Sequence, residues 1–161
     1  MTYPQRRSPR KSGYNYSQSG MYFITICIQN RLPLFGTVAA DTMQLSPAGS
    51  MIAHWWEAVA TRFVDLEIDL YVVMPNHFHG IVTLLNDDVT SLPQAIQWFK
   101  TMTTNHYLRE IKTAGWESFE GQLWQRSFHD HIIRDEKSLN ILRAYVLNNP
   151  ARWAEDQFHA S

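Results

Sequence analysis

The sequence predicts an α+β sandwich of ferredoxin-like order, an antiparallel sheet with helices on one face. Three observations predict it. Apolar residues alternate at period two in separate runs, above all 22–29, 66–74 and 77–85, as half-buried strands require. Helical spacing with start signals follows Ser46, Ser91 and Asp135. The resulting order, β-α-β-β-α-β-α, is that of a single sheet layered under helices.

The elements follow in turn. Residues 1–20 are rich in Pro, Arg, Ser and Gly and read as an irregular basic arm. In the first strand Tyr22, Ile24, Ile26 and Ile28 share one face, and Phe23, Thr25 and Cys27 the other. Leu32 to Met43 reads as a connection with a short extended piece. Ser46-Pro47 starts a helix, serine as cap and proline in the first turn. Ile52, Trp55, Trp56, Val59 and Phe63 then form a stripe facing the sheet.

The second strand is expected to turn Leu66, Ile68, Leu70 and Val72 inward, with Glu67, Asp69 and Tyr71 outward. Pro75-Asn76 breaks the chain tightly, so His77–Leu85 is its antiparallel hairpin partner. There Phe78, Gly80, Val82 and Leu84 share a face, and His77 and His79 take the other, which should remain free of helices. Ser91-x-x-Gln94 resembles a capping box and opens a helix to about Thr113, ended by Gly115. Residues 122–134 have strand character. Asp135 caps a last helix over 137–149, stopped by Pro150. The domain is expected over residues 21–153, with 154–161 a tail.

At 161 residues and 45% hydrophobic, the chain suits one domain. It has no long apolar run and no apolar segment after Met1, which excludes a membrane span and a secretory signal. One cysteine, Cys27, excludes an internal disulfide and fits a reducing cytoplasm. Of 14 Lys and Arg, five lie in residues 1–40, where there is no acid; nine remain against 15 acids. A basic arm on an acidic body is the pattern of an edge that meets a polyanion, or of a solvated tail.

Two short motifs carry chemistry. His77 and His79, two apart on a strand, point to one side. Tyr145 and Asn149, four apart on a helix, share a face. Two imidazoles and an amide oxygen can hold a divalent metal with open positions, and a phenol beside it is a possible nucleophile. Taken singly, each motif also has a bland explanation: strand histidines, a packed tyrosine, an asparagine cap. His129-Asp130-His131 offers a second pair, and four histidines could make a closed zinc site.

The segments Tyr71–Val82 (YVVMPNHFHGIV), Gln125–Arg134 (QRSFHDHIIR) and Ala144–Trp153 (AYVLNNPARW) together resemble the single-tyrosine His-hydrophobic-His transposases. The REP-associated tyrosine transposases, which act on repetitive palindromic DNA, are the branch they are most similar to. Residues 22–35 also resemble that family's first strand, so the resemblance runs from about 20 to 153. It implies that His77, His79 and Asn149 bind Mg²⁺ or Mn²⁺ and that Tyr145 attacks a scissile phosphate, leaving a 5′-phosphotyrosine and a free 3′-hydroxyl.

The implied partner is single-stranded DNA bearing a hairpin, held by basic and aromatic groups. Lys100, Arg126 and the arm residues Arg6, Arg7, Arg10 and Lys11 are candidates, and His131 is a candidate partner for a ligand imidazole. The implied location is the cytoplasm, on the nucleoid when DNA-bound, and both monomer and homodimer stay open. Two other readings keep the same residues: a metal- and DNA-binding regulatory module without chemistry, and a hydrolytic metal-dependent nuclease.

Overall fold

The computed structural model describes residues 13–159; Arg6, Arg7, Arg10 and Lys11 lie outside them. A four-stranded antiparallel sheet is built from β1 (Gly20–Cys27), β4 (Leu66–Val73), β5 (His77–Leu84) and β6 (His129–Ile133), in the order β4-β5-β1-β6. Helices α1 (Pro47–Arg62) and α2 (Leu92–Ala114) cover one face, and α3 (Glu136–Asn148) packs on the other. Setting aside the small hairpin β2 (Gly36–Ala39) and β3 (Thr42–Leu45), this is the ferredoxin-like arrangement the alternation predicts.

The cap signals act as read. Ser46 Oγ accepts from Gly49 N–H, Ser91 Oγ from Gln94 N–H, and Asp135 Oδ1 from Ser138 N–H, each satisfying an otherwise unpaired first-turn donor. Gly115 ends α2 in the left-handed conformation, φ 69°, where glycine carries no Cβ penalty. The main core joins Tyr22, Ile24, Ile26 and Ile28 of β1 to Trp56 and Val59 of α1, Phe99 of α2 and Phe78 and Val82 of β5. Gly80 sits where those aromatics close in; a Cβ there would lie 2.9 Å from Trp56 and from Phe78.

Several expectations are corrected. Leu32 to Met43 contains most of a hairpin, whose tip, Ala40-Asp41, has φ 51° and 59°. Two consecutive positive φ values make a tight hairpin turn usually marked by Asn-Gly or Asp-Gly, a signal this chain lacks. Residues 122–134 do not form one strand. Trp124 bridges to Ile28, Gln125 N–H donates to Cys27 O at 2.8 Å, and Trp124 Nε1 donates to Thr103 Oγ1 at 2.9 Å. The chain is thereby pinned to α2 before it returns as β6. Trp55 is only partly buried against the main core, and its Nε1 donates to His106 Nδ1 on α2 at 2.9 Å.

In β4 the register against β5 shifts by one between Ile68 and Tyr71. This bulge reverses the expected facing. Tyr71 and Val73 join Leu66 and Ile68 at the main core, while Leu70 and Val72 turn to the other side. That side is not free. Ile81, Ile133, Leu139 and Val146 form a second core there, flanked by Phe23, Leu70, Val72 and Leu142.

Candidate active site

Strand register assembles the first half of the site. The β1–β5 ladder sets Thr25 opposite His79 and Cys27 opposite His77. Thr25 Oγ1 lies 2.7 Å from His79 Nδ1. Asn76, in the hairpin turn, places Oδ1 2.8 Å from His77 Nδ1, while its Nδ2 donates to Phe158 O at 2.7 Å and Arg31 O at 3.3 Å. The Asn76 oxygen can only accept, so His77 Nδ1 carries the proton and Nε2 the lone pair. These contacts fix ring orientation in the way outer partners orient metal-binding imidazoles.

The second half comes from α3. Asn149, at its C-terminal end, is 2% exposed, against 0% for His77 and 1% for His79. The two imidazole centroids are 4.7 Å apart, and that of Tyr145 is 5.3 Å from His79. Phe23 completes a triangle with these two rings, stacked on the His79 imidazole at 5.3 Å and edge-on to the Tyr145 phenol at 5.9 Å. The helix is held by Leu139 and Val146 and by Arg143, whose Nε and Nη2 donate to the two oxygens of Asp69 at 3.0 and 2.5 Å. Sequence-distant His77, His79, Tyr145 and Asn149 thus converge within one chain.

His77 Nε2, His79 Nε2 and Asn149 Oδ1 are buried without a hydrogen-bond partner. Each orphan costs about 1–3 kcal/mol if nothing meets it, so three together ask for an ion or a polar ligand. Burial pushes the His77 imidazole down to about 2, helped by neighbouring His79 and opposed by Asn149. It pushes His79 down to about 3, opposed by a hydrogen bond to the Ile24 backbone. Both rings are therefore neutral at pH 7, the form that binds a metal. A mixed nitrogen and oxygen donor set fits several divalent ions. Burial raises the Tyr145 phenol above its ordinary value, the Asn149 amide opposes this, and Asp156 adds to it.

The segment after α3 holds residues that local patterning did not reveal. Pro150–Glu155 forms a 3-10 turn, and the chain then folds back over His77. Trp153 stacks on that ring at 5.9 Å and Phe158 lies against it at 4.6 Å. The Asp156 side chain is 4% exposed, with Oδ2 3.8 Å from His77 Nε2. Thr25, Asn76, Trp153, Asp156 and Phe158 are the site neighbours that sequence reasoning missed; only the adjacency of Asn76 to His77 offered a signal.

Other expected residues lie elsewhere. His131 is exposed on β6, and the imidazole partners are Thr25 and Asn76 instead. Among the described residues, the His, Cys, Asp and Glu group able to hold a metal is His77, His79 and Asp156, so no four-histidine site forms with His129 and His131. Lys100 is 9% exposed and its Nζ donates to Gln125 O at 2.8 Å. With exposed Arg126 it lines a cavity of about 350 Å³ between α2 and residues 122–126.

The class is that of the transposases, a family of DNA-processing enzymes. A family model described as transposase IS200 like matches residues 19–149, and the chain belongs to that family. It is 36% identical to an uncharacterised protein of Haemophilus influenzae Rd, over 96% of this chain and 93% of the relative. It is 25% identical to a candidate REP-associated tyrosine transposase of the same organism, over 90% and 83%. A solved REP-associated tyrosine transposase bound to a REP hairpin shares the fold, with TM-score 0.63, 22% identity, and coverage of 89% of this chain and 73% of that one. A candidate transposase of Deinococcus radiodurans superposes with TM-score 0.53 and 17% identity, over 86% and 97%. Among the described residues no helix is long and apolar enough to cross a membrane.

Proposed function

We propose that the protein cleaves and rejoins single-stranded DNA beside hairpins, with Tyr145 as nucleophile and a divalent ion, Mg²⁺ or Mn²⁺, held by His77, His79 and Asn149. The observation that carries this reading is the Tyr145 phenol beside an imidazole pair whose Nε2 atoms are buried and unpaired. A structural relative solved with a REP hairpin supports the choice of substrate.

In the proposed reaction the Tyr145 oxygen forms a bond to phosphorus and the bond from phosphorus to the 3′-oxygen breaks. The phenolic proton passes to water and the departing 3′-oxygen takes one up. The product is a 5′-phosphotyrosine, which a free 3′-hydroxyl attacks in the reverse sense to rejoin strands without ATP. A bound divalent ion supplies charge stabilisation at the phosphate. Phe23 and the Arg143–Asp69 contact aim the phenol, and Asn149, one turn on, favours its ionisation. Residues 156–159 cover His77, so a strand enters once they move aside. Exposed Arg126 and the arm residues Arg6, Arg7, Arg10 and Lys11 are the proposed DNA contacts; Lys100, tied to Gln125, serves as a scaffold for that surface.

The test is incubation with a labelled hairpin-bearing strand and Mn²⁺, followed by denaturing electrophoresis. A protein–DNA adduct that disappears in Tyr145→Phe, with DNA binding retained, supports transesterification. Cleavage without an adduct identifies a hydrolytic nuclease, and binding with neither identifies a regulatory module. For the ligand set, Asn149→Ala should weaken Mn²⁺ binding in calorimetry with little change in melting temperature, and unchanged affinity removes Asn149 from it.

A further inference from the structure

We infer that Asp156 is a further metal ligand, so that the segment after α3 is bound to the ion in the DNA-free protein. The inference rests on the metal reading above and adds a residue to it. Its geometry is independent of any pattern in the sequence.

The donors already named are all neutral. Two imidazoles and an amide at 0–2% exposure leave a doubly charged ion in a dry site without a counter-charge, an expensive arrangement. Asp156 is the acidic group beside them. Its ligating oxygen and the ligating ring nitrogens of His77 and His79 lie within 4.8 Å of one another. The 3.8 Å from Asp156 Oδ2 to His77 Nε2 is too long for a hydrogen bond. Donors about 2.1 Å from one octahedral ion, however, stand roughly 3–4 Å apart.

The carboxylate is also aimed. Its Oδ1 accepts from Phe158 N–H at 2.7 Å, which leaves Oδ2 toward His77. The backbone behind it is anchored, since Phe158 O accepts from Asn76 Nδ2 at 2.7 Å. Asn76 therefore orients His77 with its oxygen and the Asp156 loop with its nitrogen, linking two ligands through one side chain.

The experiment is Mn²⁺ titration of the metal-free full chain by calorimetry and by the loss of the free Mn²⁺ resonance signal. The variants are Asp156→Ala and Asp156→Asn, with His79→Ala as control. Removing even an outer partner of a ligand costs about 10–100-fold in affinity, so about tenfold or more is expected for Asp156→Ala. A rise in Kd of threefold or more supports the assignment and a smaller one overturns it. If Asp156→Ala does not fold, Asp156→Asn, which keeps an acceptor for Phe158 N–H, decides on the same threshold. Mn²⁺ should also slow amide exchange across residues 156–159 in the wild type and not in Asp156→Ala; equal slowing in both overturns it. Loss of Mn²⁺ binding in His79→Ala with unchanged affinity in Asp156→Ala removes Asp156 alone. Failure of the Tyr145 adduct leaves the Mn²⁺ result standing, and no Mn²⁺ binding by the wild type overturns both readings.

Discussion

Replacing Leu139 by alanine should loosen the tyrosine-bearing helix while leaving the other layer of the domain intact. Leu139 is 7% exposed and is one of four buried residues in the second core. The change removes three carbons, about 2.4 kcal/mol at 0.8 kcal/mol per buried carbon, and incomplete collapse of the space brings the cost to about 2–5 kcal/mol. α3 has 13 residues, a length near the limit of stability for an isolated helix. The loss therefore falls on local opening of α3, because the helix keeps few other apolar contacts. At about 1.4 kcal/mol per tenfold, the lower figure corresponds to roughly 30-fold faster amide exchange. Hydrogen exchange read by mass spectrometry should show this for residues 140–148, with α2 as internal reference. Acceleration below threefold in α3, or equal acceleration in α2, refutes the idea that the second core holds the helix separately.

Two further outcomes are expected. Both site imidazoles are neutral in the fold, depressed to about 2 and about 3, but titrate near pH 6.5 when unfolded. The unfolded chain therefore binds more protons in acid, so metal-free stability is full above pH 6.5 and falls below it, by about 2–3 kcal/mol per pH unit for the pair. Urea unfolding at pH 7.5, 6 and 5 reads this; a flat profile contradicts it, and His77→Gln should shallow the slope. Gly80→Ala should destabilise by about 1–3 kcal/mol through overpacking against Trp56 and Phe78. A denaturation midpoint equal to or above that of wild type counts against that account.

The legible parts of the fold were those with local causes. Ser46, Ser91 and Asp135 announce helices because a cap acts within three residues. The His77 and His79 pairing follows from strand geometry, and Tyr145 and Asn149 from helical spacing. What stayed hidden was set by register or by distant segments. Nothing in residues 66–73 says that one residue bulges, and an even alternation puts Leu70 and Tyr71 on each other's faces. Asp156 and Phe158 follow a 3-10 turn without a hydrophobic period, and their role depends on contacts made some 80 residues away. The tip at Ala40-Asp41 uses residues that seldom adopt its conformation.

The irregularity in β4 has a further consequence. At Asp69 and Leu70 two successive side chains turn the same way, something an unbroken strand cannot offer. One becomes an ionic latch for Arg143 and the other an apolar seat beside it, and the backbone N–H of Leu70 donates to Asp69 Oδ1 at 2.7 Å. A single inserted residue thus furnishes both halves of a berth for the nucleophile's helix. Excising Leu70 would restore even pleating, leave the layer under Trp56 and Phe99 undisturbed, and strip the berth of its apolar half.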